Sequence, residues 1–247
     1  MTPQDSKHIQ ALSVSDDGPI RHIRFDRPNK LNALTSEMQE GVLEAVADAE
    51  ADGKVRVIAL SGEGRSFCAG VDLGGGPGAL PERYRKRRVA LDIGMGPLQI
   101  QEVTSALRHC PKPTVALMQG HVLGAGFDYA TSCDFRLATE DCRFGDPRVH
   151  RSLWAAEGWS YKITRLVPQC WTARINLMGK PLSGKEAESI GLIHKVYPEK
   201  SDLRIAAKDY MMDLSRIPAA SYAMAKKHIL DSLDLSYKAS LAHISLA

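Results

Sequence analysis

Two segments of the chain join an apolar strand to a glycine-rich turn, and their chemistry is that of holding negative charge. In the first, strand residues 114–118 lead to a pair of glycines, Gly124 and Gly126, at the start of a short predicted helix. Glycine turns and helix N-termini present backbone N–H groups that attract anions. Residues 61–73 repeat this arrangement after an apolar strand at 55–60. The two segments predict a pocket that stabilises an anion.

A basic run at residues 83–88 has the sequence Arg-Tyr-Arg-Lys-Arg-Arg. Such a run forms either a solvated helix face or a clamp for phosphate groups, and the sequence leaves both interpretations open. No metal site is predicted, because the carboxylates and histidines lack the spacing of metal ligands.

The composition excludes several classes of protein. The chain has 247 residues, of which 44% are hydrophobic, enough for a sizeable core in one domain with a helical appendage. A net charge of +3 is too small to indicate nucleic-acid binding. The five cysteines lack paired spacing, residues 1–10 are polar, and no apolar run approaches the roughly 20 residues of a membrane span. We therefore expect a cytoplasmic protein with reduced thiols and no signal peptide or membrane contact.

Hydrophobic patterning predicts the elements that position the two glycine-rich segments. Strands are predicted at residues 8–14, 20–25, 55–60, 114–118, 135–138, 142–144 and 193–197, the first two as a hairpin across 15–19. Helices are predicted from Thr35 or Ser36 to Asp52, at 91–107, 152–166, 170–178 and 183–190, and from 201 to the end with an interruption at Ile217-Pro218. Ser183 and Glu186 have the spacing of a capping box. The pattern indicates an α/β core at residues 1–198 and a helical region at 199–247.

Four motifs, in this order and spacing, resemble those of the crotonase (enoyl-CoA hydratase/isomerase) superfamily. They are Arg27-Pro-Asn-Lys-Leu-Asn-Ala-Leu34, Gly62-x-Gly-x-x-Phe-Cys-Ala-Gly-Val-Asp-Leu73, Gly120-x-x-x-Gly-Ala-Gly-Phe-Asp128 followed by Cys133-Asp134, and Leu182-Ser-Gly-Lys-Glu-Ala-x-x-Ile-Gly-Leu192 followed by Val196. Each motif alone is weak, but together they are specific, and the match covers residues 8–232.

The resemblance implies both a fold and a common chemistry. The fold is a spiral of ββα units whose C-terminal helical region packs on the body and on neighbouring subunits, usually in a homotrimer or a dimer of trimers. The chemistry is stabilisation of an enolate formed from an acyl-CoA thioester. Coenzyme A is therefore expected as part of the substrate, and no permanently bound cofactor is expected.

The resemblance assigns the two anion-holding N–H groups to Val71 and Ala125. Donors held at about 2.7–3.1 Å from a developing oxyanion lower the barrier by roughly 3–4 kcal/mol each. Gly70 and Gly124 precede the two donors, and their lack of a side chain lets the backbone approach the thioester. Ordinary tight turns are the alternative interpretation of the same glycines.

Coenzyme A binding is expected from the first two motifs. The resemblance implies that Lys30 and Arg27 supply positive charge, although a solvated loop residue is an equal alternative for Arg27. The loop expected to surround the adenine and phosphates contains Ala69, Gly70, Asp72 and Leu73. Many relatives carry a polar residue after the Asp-Leu pair, whereas Gly74 follows here, so one adenine contact is expected to be missing.

The acid/base positions depart from the family pattern. Two carboxylates suit the addition of water, because one holds or deprotonates it and the other delivers a proton to the α-carbon. Where hydratases of the family carry their first glutamate this chain has Asp128, and where they carry the second it has Arg148. Arginine is always charged and does not serve as a general acid or base. The usual two-glutamate hydration is therefore in doubt, as is the usual isomerase mechanism.

Glu157 is the candidate replacement for the second carboxylate. It precedes Gly158 at a turn where divergent relatives, among them β-diketone hydrolases, carry a catalytic acidic residue. Arg148 would then pair with Glu157 or Asp128, or bind a substrate carboxylate. The alternatives are a solvent-exposed helix residue for Glu157 and a hydrogen-bonded turn aspartate for Asp128.

Three functions are compatible with these residues. The first is an acyl-CoA hydratase/isomerase-type enzyme that works through an enolate, with Asp128 and Glu157 as acid/base groups. The second is a hydrolase that cleaves a carbon–carbon bond in a β-diketone or β-keto substrate by a retro-Claisen route. The third is a paralogue that binds coenzyme A with altered or lost catalysis. The CoA-like loops favour the first over the second, and the retained oxyanion loops and carboxylates favour it over the third.

Overall fold

A computed structural model of the chain describes residues 7–9, 11–72, 99–153, 155 and 157–244. Leu73, the glycine that follows it, the basic run at 83–88 and the first part of the helix predicted at 91–107 lie outside the described residues. The described part is a mixed α/β structure, as the sequence predicts.

The strands form two sheets. The strands of the described ranges are β1 (Lys7–Ile9), β2 (Leu12–Asp17), β3 (Ile20–Phe25), β4 (Val57–Gly62), β5 (Thr114–Met118), β6 (His121–Leu123), β7 (Phe135–Thr139), β8 (Arg143–Gly145), β9 (Leu182–Ser183) and β10 (Lys195–Tyr197). The main sheet has the order β1-β2-β3-β4-β5-β7-β10, and the smaller sheet has the order β6-β8-β9. The strands from β3 to β10 of the main sheet are parallel, so the turns that follow β4 and β5 leave the same edge.

The amino-terminal run predicted as one strand at 8–14 is two strands. Ala11 has a φ of 63°, a left-handed conformation that turns the chain. β1 therefore folds back antiparallel on β2, with Lys7 opposite Val14. The hairpin predicted between the first two runs is confirmed, since β2 and β3 pair antiparallel across Gly18.

The helices of the described ranges are α1 (Ser36–Ala51), α2 (Gln99–His109), α3 (Ala125–Ser132), α4 (Trp159–Leu166), α5 (Gln169–Asn176), α6 (Gly184–Ser189), α7 (Lys200–Ser215), α8 (Ala219–Ser232) and α9 (Tyr237–Ile244). Thr35 caps α1, because its side chain accepts a hydrogen bond from the Met38 N–H. Ser183 and Glu186 form the predicted capping box of α6. In the described part of the chain, no helix is long and apolar enough to cross a membrane.

The prediction of a helix at 152–166 is wrong in its first half. Pro147–Arg151 forms a 3-10 turn that ends at Ser152, whose φ is 53°. α4 begins only after Gly158, whose φ is 73°. Two left-handed residues therefore interrupt the helical spacing. As a result Glu157 lies in a bend before α4 and not on an exposed helix face.

The parallel strands are buried on both faces, as the continuous apolar run of β4 predicts. The larger core joins one face to α1, α2 and α3, and contains Phe25, Val42, Leu107 and Phe127. The smaller core joins the other face to α7. Every residue of α3 is buried, so the helix that follows the first glycine-rich segment is firmly anchored.

A buried polar contact attaches α8 to the core. Lys226 Nζ and the Tyr222 hydroxyl donate to Asp134 Oδ2 at 2.8 and 2.9 Å. The Thr114 N–H donates to the same oxygen at 3.0 Å. This part of the helical layer is thereby fixed to the start of β5.

Candidate active site

The two glycine-rich segments lie side by side. A Cβ added at Gly70 would lie 3.2 Å from the Leu123 carbonyl oxygen and 3.6 Å from the Ala125 nitrogen. Gly70 has a φ of 99° and Gly124 a φ of 51°, conformations that other residues rarely adopt. Glycine at both positions therefore allows the two backbones to meet.

The segment around Val71 is held by hydrogen bonds that leave its own N–H unused. The Leu34 N–H donates to the Gly70 carbonyl at 2.8 Å, and the Asp72 N–H donates to the Leu34 carbonyl at 2.9 Å. The N–H groups of Val71 and Ala125 have no hydrogen-bond partner among the described residues. Ala125 is the first residue of α3, where the N–H points out of the helix. Adjacent loops thus hold two available donors.

Arg27 and Asp72, both predicted to contact coenzyme A, form an ion pair with each other. Arg27 Nη1 and Nη2 each lie 3.0 Å from Asp72 Oδ2, and Nη1 also donates to the Ala33 carbonyl at 2.6 Å. The Ala69 N–H, in the same loop as Asp72, bonds back to the first motif as well. Lys30 is exposed at the end of a 3-10 turn. The two loops are in contact, and their contacts with coenzyme A stay a prediction.

Asn32, to which the sequence assigned no role, joins the same two loops. Its side chain is fully buried. Its Oδ1 accepts from the Arg27 N–H at 2.8 Å, and its Nδ2 donates to the Glu63 and Ser66 carbonyls at 2.9 and 2.7 Å. Its φ of 56° is left-handed, a conformation that asparagine tolerates better than most residues. The position of Asn32 within the first motif was the sequence signal that could have indicated this role.

Three acidic side chains converge on Arg148. Its Nη1 donates to Asp128 Oδ2 at 2.9 Å and to Glu157 Oε1 at 2.7 Å, and its Nε donates to Asp146 Oδ1 at 2.6 Å. The side chains of Arg148, Asp128 and Glu157 are only 12%, 0% and 9% exposed, so water screens these contacts little. We call these four residues the Arg148 cluster. No group of His, Cys, Asp or Glu in the described ranges is arranged to hold a metal ion.

The cluster is attached to the two glycine-rich segments through α3. Asp128 follows Ala125 by three residues, so the two lie on the same face of the helix. Arg148 belongs to the 3-10 turn, where Asp146 caps the start of the turn and orients the guanidinium. The sequence missed Asp146, although an aspartate directly before a proline is a typical cap signal.

Each of the three predicted residues in the cluster has one buried polar atom that makes no hydrogen bond in the described part of the chain. Asp128 Oδ1, Glu157 Oε2 and Arg148 Nη2 have no hydrogen-bond partner among the described residues. A buried polar atom without a partner costs about 1–3 kcal/mol. Such atoms are rare in folded proteins and call for a functional explanation. The cluster is therefore the strongest candidate for chemistry on a bound ligand.

The charges of the cluster are shifted by burial and by each other. Burial and, next, the negative charge of Glu157 raise the pKa of Asp128 to about 7, against the lowering effect of Arg148 and Lys162. Burial disfavours the charge of Arg148, but the surrounding carboxylates hold its pKa above its ordinary value. The protonated form of Asp128 is therefore favoured relative to an ordinary aspartate, beside an arginine whose charge the carboxylates stabilise.

Comparison with known proteins gives the class of the chain. The sequence model described as enoyl-CoA hydratase/isomerase matches residues 16–245. The chain therefore belongs to the enoyl-CoA hydratase/isomerase family, which confirms the family and the enzyme class expected from the motifs.

Individual relatives and a solved structure agree with this class. The peroxisomal Delta(3,5)-Delta(2,4)-dienoyl-CoA isomerase of Arabidopsis thaliana is 28% identical over 215 residues, which cover 82% of this chain and 74% of that protein. The mitochondrial enzyme of the same name from Homo sapiens is 26% identical over 229 residues, 92% of this chain and 70% of that protein. The crystal structure of enoyl-CoA hydratase subunit I from Geobacillus kaustophilus HTA426 has a TM-score of 0.85 at 25% identity and covers 97% of this chain and 88% of its own. The predicted crotonase-type fold is confirmed.

Proposed function

We propose that the chain shifts a carbon–carbon double bond within an enoyl- or dienoyl-CoA thioester by moving a proton. The Arg148 cluster carries the proposal, because one guanidinium nitrogen bridges the carboxylates of Asp128 and Glu157. Isomerisation needs a carboxylate that removes a proton and an acid that returns one. Both forms coexist at neutral pH when the pKa of Asp128 is about 7. The isomerase names of two relatives support the same reaction.

The first step forms the enolate. One carboxylate of the cluster removes a proton from a carbon next to the double bond, and the electron pair left on that carbon is delocalised onto the thioester oxygen. The N–H groups of Val71 and Ala125, which no described residue uses, would donate to that oxygen. The charge would thus develop beside two donors that need no rearrangement.

The second step restores the neutral thioester. The acid of the cluster returns a proton to a different carbon of the conjugated system, and the electron pair moves back from oxygen to carbon. The double bond has then moved with no net gain or loss of atoms. Because Asp128 and Glu157 contact one Nη1, each of them has the same cation beside it when it is ionised.

Hydration is the nearest competing reaction. It needs a water molecule that both carboxylates reach. Here the bridging position is taken by Arg148 Nη1, at 2.9 Å from Asp128 and 2.7 Å from Glu157. This contact favours isomerisation over hydration, and it equally disfavours retro-Claisen cleavage, which also consumes water.

The test uses the purified full chain with a 3-enoyl-CoA and a 3,5-dienoyl-CoA thioester. We expect conjugation of the double bonds, followed by ultraviolet absorbance, to be faster than hydration of crotonyl-CoA. Faster hydration than isomerisation would contradict the proposal. Acid release from a β-diketone without isomerisation would assign the hydrolase function instead. Binding of coenzyme A without any of these reactions would indicate the catalytically altered paralogue.

We also infer that the C-terminal helices pack against other copies of the chain. Ile205 of α7, Ile229 of α8 and Tyr237 of α9 are 70%, 64% and 81% exposed. Exposed apolar patches mark association sites, and these three helices supply the candidate side chains for such a patch. The family resemblance predicts a homotrimer or a dimer of trimers, and sedimentation velocity distinguishes these from a monomer, which would contradict the inference.

A further inference from the structure

Lys162 lies behind Asp128 and takes no part in the steps proposed above. It is buried, on the first turn of α4. Its Nζ donates to the Asp128 carbonyl at 3.0 Å and to Ser132 Oγ at 2.8 Å. The Ser132 hydroxyl donates to the same carbonyl at 2.7 Å. The ammonium group thus fastens α4 to the part of α3 that carries Asp128.

A buried ammonium needs compensation, because removal of an ion from water costs several kcal/mol. Both hydrogen-bond acceptors of Lys162 are uncharged oxygens. Burial lowers the pKa of Lys162 to about 8, against the raising effect of the Asp128 and Glu157 carboxylates, while Arg108 of α2 lowers it further. Lys162 is therefore coupled electrically to the same two carboxylates that contact Arg148.

The charges of the site do not balance without a proton. Three carboxylates surround Arg148 in the cluster, and the second buried cation nearby is Lys162, whose Nζ lies 3.0 Å from the Asp128 carbonyl. One carboxyl proton makes this buried group neutral, and neutrality is strongly favoured away from water. If Lys162 carried no charge, three carboxylates would face one cation, and the site would retain its proton more tightly.

We propose that Lys162 is a positioning residue for the proton transfer, which holds the turn of α3 that carries Asp128 and supplies the second buried positive charge of the site. The inference rests on the proposed function, because it takes Asp128 to be a proton-exchanging group. Among the described residues, four other charged or titratable groups lie around Lys162 and Asp128. Glu157 and Asp146 are joined to Asp128 by Arg148, Arg108 lies on α2, and Cys133 lies at the end of α3.

Matched variants separate the charge of Lys162 from its hydrogen bonds. Lys162→Gln keeps an amide donor for the two oxygens but has no charge, and Lys162→Arg keeps the charge. Ser132→Ala removes one acceptor of Lys162 and leaves the charge in place. In each folded variant the titration of the Asp128 carboxyl is followed by ¹³C NMR without substrate, assigned by its loss in Asp128→Asn, and the pH profile of kcat is measured beside it.

Lys162→Gln is expected to raise the Asp128 titration midpoint by about one pH unit or more. The inflection of the kcat–pH profile should shift by a similar amount, while KM changes less than kcat. Lys162→Arg and Ser132→Ala should stay near the wild-type midpoint. An unchanged midpoint in folded Lys162→Gln would overturn the inference.

A measurement on the wild type keeps the inference testable if Lys162→Gln does not fold. The ¹⁵N shift of Lys162 Nζ should then show a step at the Asp128 midpoint, and its absence would overturn the inference equally. These titrations need no substrate, so a failed isomerase assay would be distinguishable from a failed coupling.

Discussion

The two halves of the candidate site differ in the groups that form them, since one consists of backbone and the other of side chains. The proposed anion-binding half is backbone, namely the N–H groups of Val71 and Ala125 beside two glycines with left-handed φ angles. The proposed proton-moving half is made of side chains from three separate segments, joined by Arg148. A backbone donor survives a change of its own side chain, whereas a single substitution alters a carboxylate cluster. On the proposed function, the chain can therefore keep a backbone half like that of its family while the side chains at the acid/base positions differ.

The largest effect is expected from the carboxylates. Asp128→Asn and Glu157→Gln should each slow isomerisation by about 10²–10⁴-fold, because each removes a group that gives or takes the proton. Steady-state kinetics with the 3-enoyl-CoA thioester measures this. Glu140→Gln is the control, since Glu140 pairs with Lys185 at the surface and should keep the wild-type rate. Full rates in both site variants would show that the acid/base assignment is wrong.

The backbone half is tested through Gly124. Gly124→Ala places a Cβ on a residue with φ 51° and ψ −123°, which shifts the N–H of Ala125. Loss of one oxyanion donor costs about 10²–10³-fold in kcat. Gly18→Ala, at φ 60° with nothing within 4 Å of the added Cβ, carries similar strain in a distant turn. It should lose stability only, and an equal loss of kcat in both variants would remove Gly124 from the site.

Removal of the shared cation should cost stability as well as activity. Arg148→Met leaves buried carboxylates without their partner, and breaking a buried ion pair in this way costs about 3–5 kcal/mol. Urea unfolding at neutral pH measures the loss. Arg216→Met removes an exposed pair with Asp213 and should leave the unfolding midpoint unchanged. A stable Arg148→Met protein would mean that the carboxylates are already protonated.

The glycine turns were predictable because their signal is local. Gly70 and Gly124 could be read from the chain, and so could the strands that precede them. A pairing of Arg148 with Glu157 or Asp128 was predicted as one alternative, but its geometry could not be, because both carboxylates meet one nitrogen only when segments 20 and 9 residues apart pack together. Lys162 gave no local signal, since its contacts form only where α4 meets α3.

The pH dependence of stability should reveal the buried acid. The pKa of Asp128 is raised to about 7 in the folded chain, from about 4 in the unfolded chain. The folded state therefore binds more protons between these values, and this contribution to the free energy of unfolding is full below about pH 4 and lost as pH rises through 7. Urea unfolding at pH 5 and at about pH 7.5 should show this fall in the free energy of unfolding for the wild type and not for Asp128→Asn. An identical pH dependence in both proteins would contradict the raised pKa.

The smallest effect is expected where the two loops meet. Arg27 and Asp72 are partly exposed, so a double-mutant cycle with Arg27→Gln and Asp72→Asn should give a coupling energy below about 1 kcal/mol. If Arg27 also contacts coenzyme A, Arg27→Gln should raise KM and leave kcat unchanged. A fall in kcat with constant KM would instead place Arg27 in the proton-moving half.

The claim that the side-chain half moves the proton is tested most directly by hydrogen exchange in D₂O. An acyl-CoA substrate is incubated with enzyme, and ¹H NMR follows the replacement of its exchangeable carbon-bound hydrogen by deuterium. Exchange by the wild type should be abolished in Asp128→Asn or Glu157→Gln, while binding of the thioester persists. Wild-type exchange in both variants would show that other groups move the proton and would contradict the roles assigned to the Arg148 cluster.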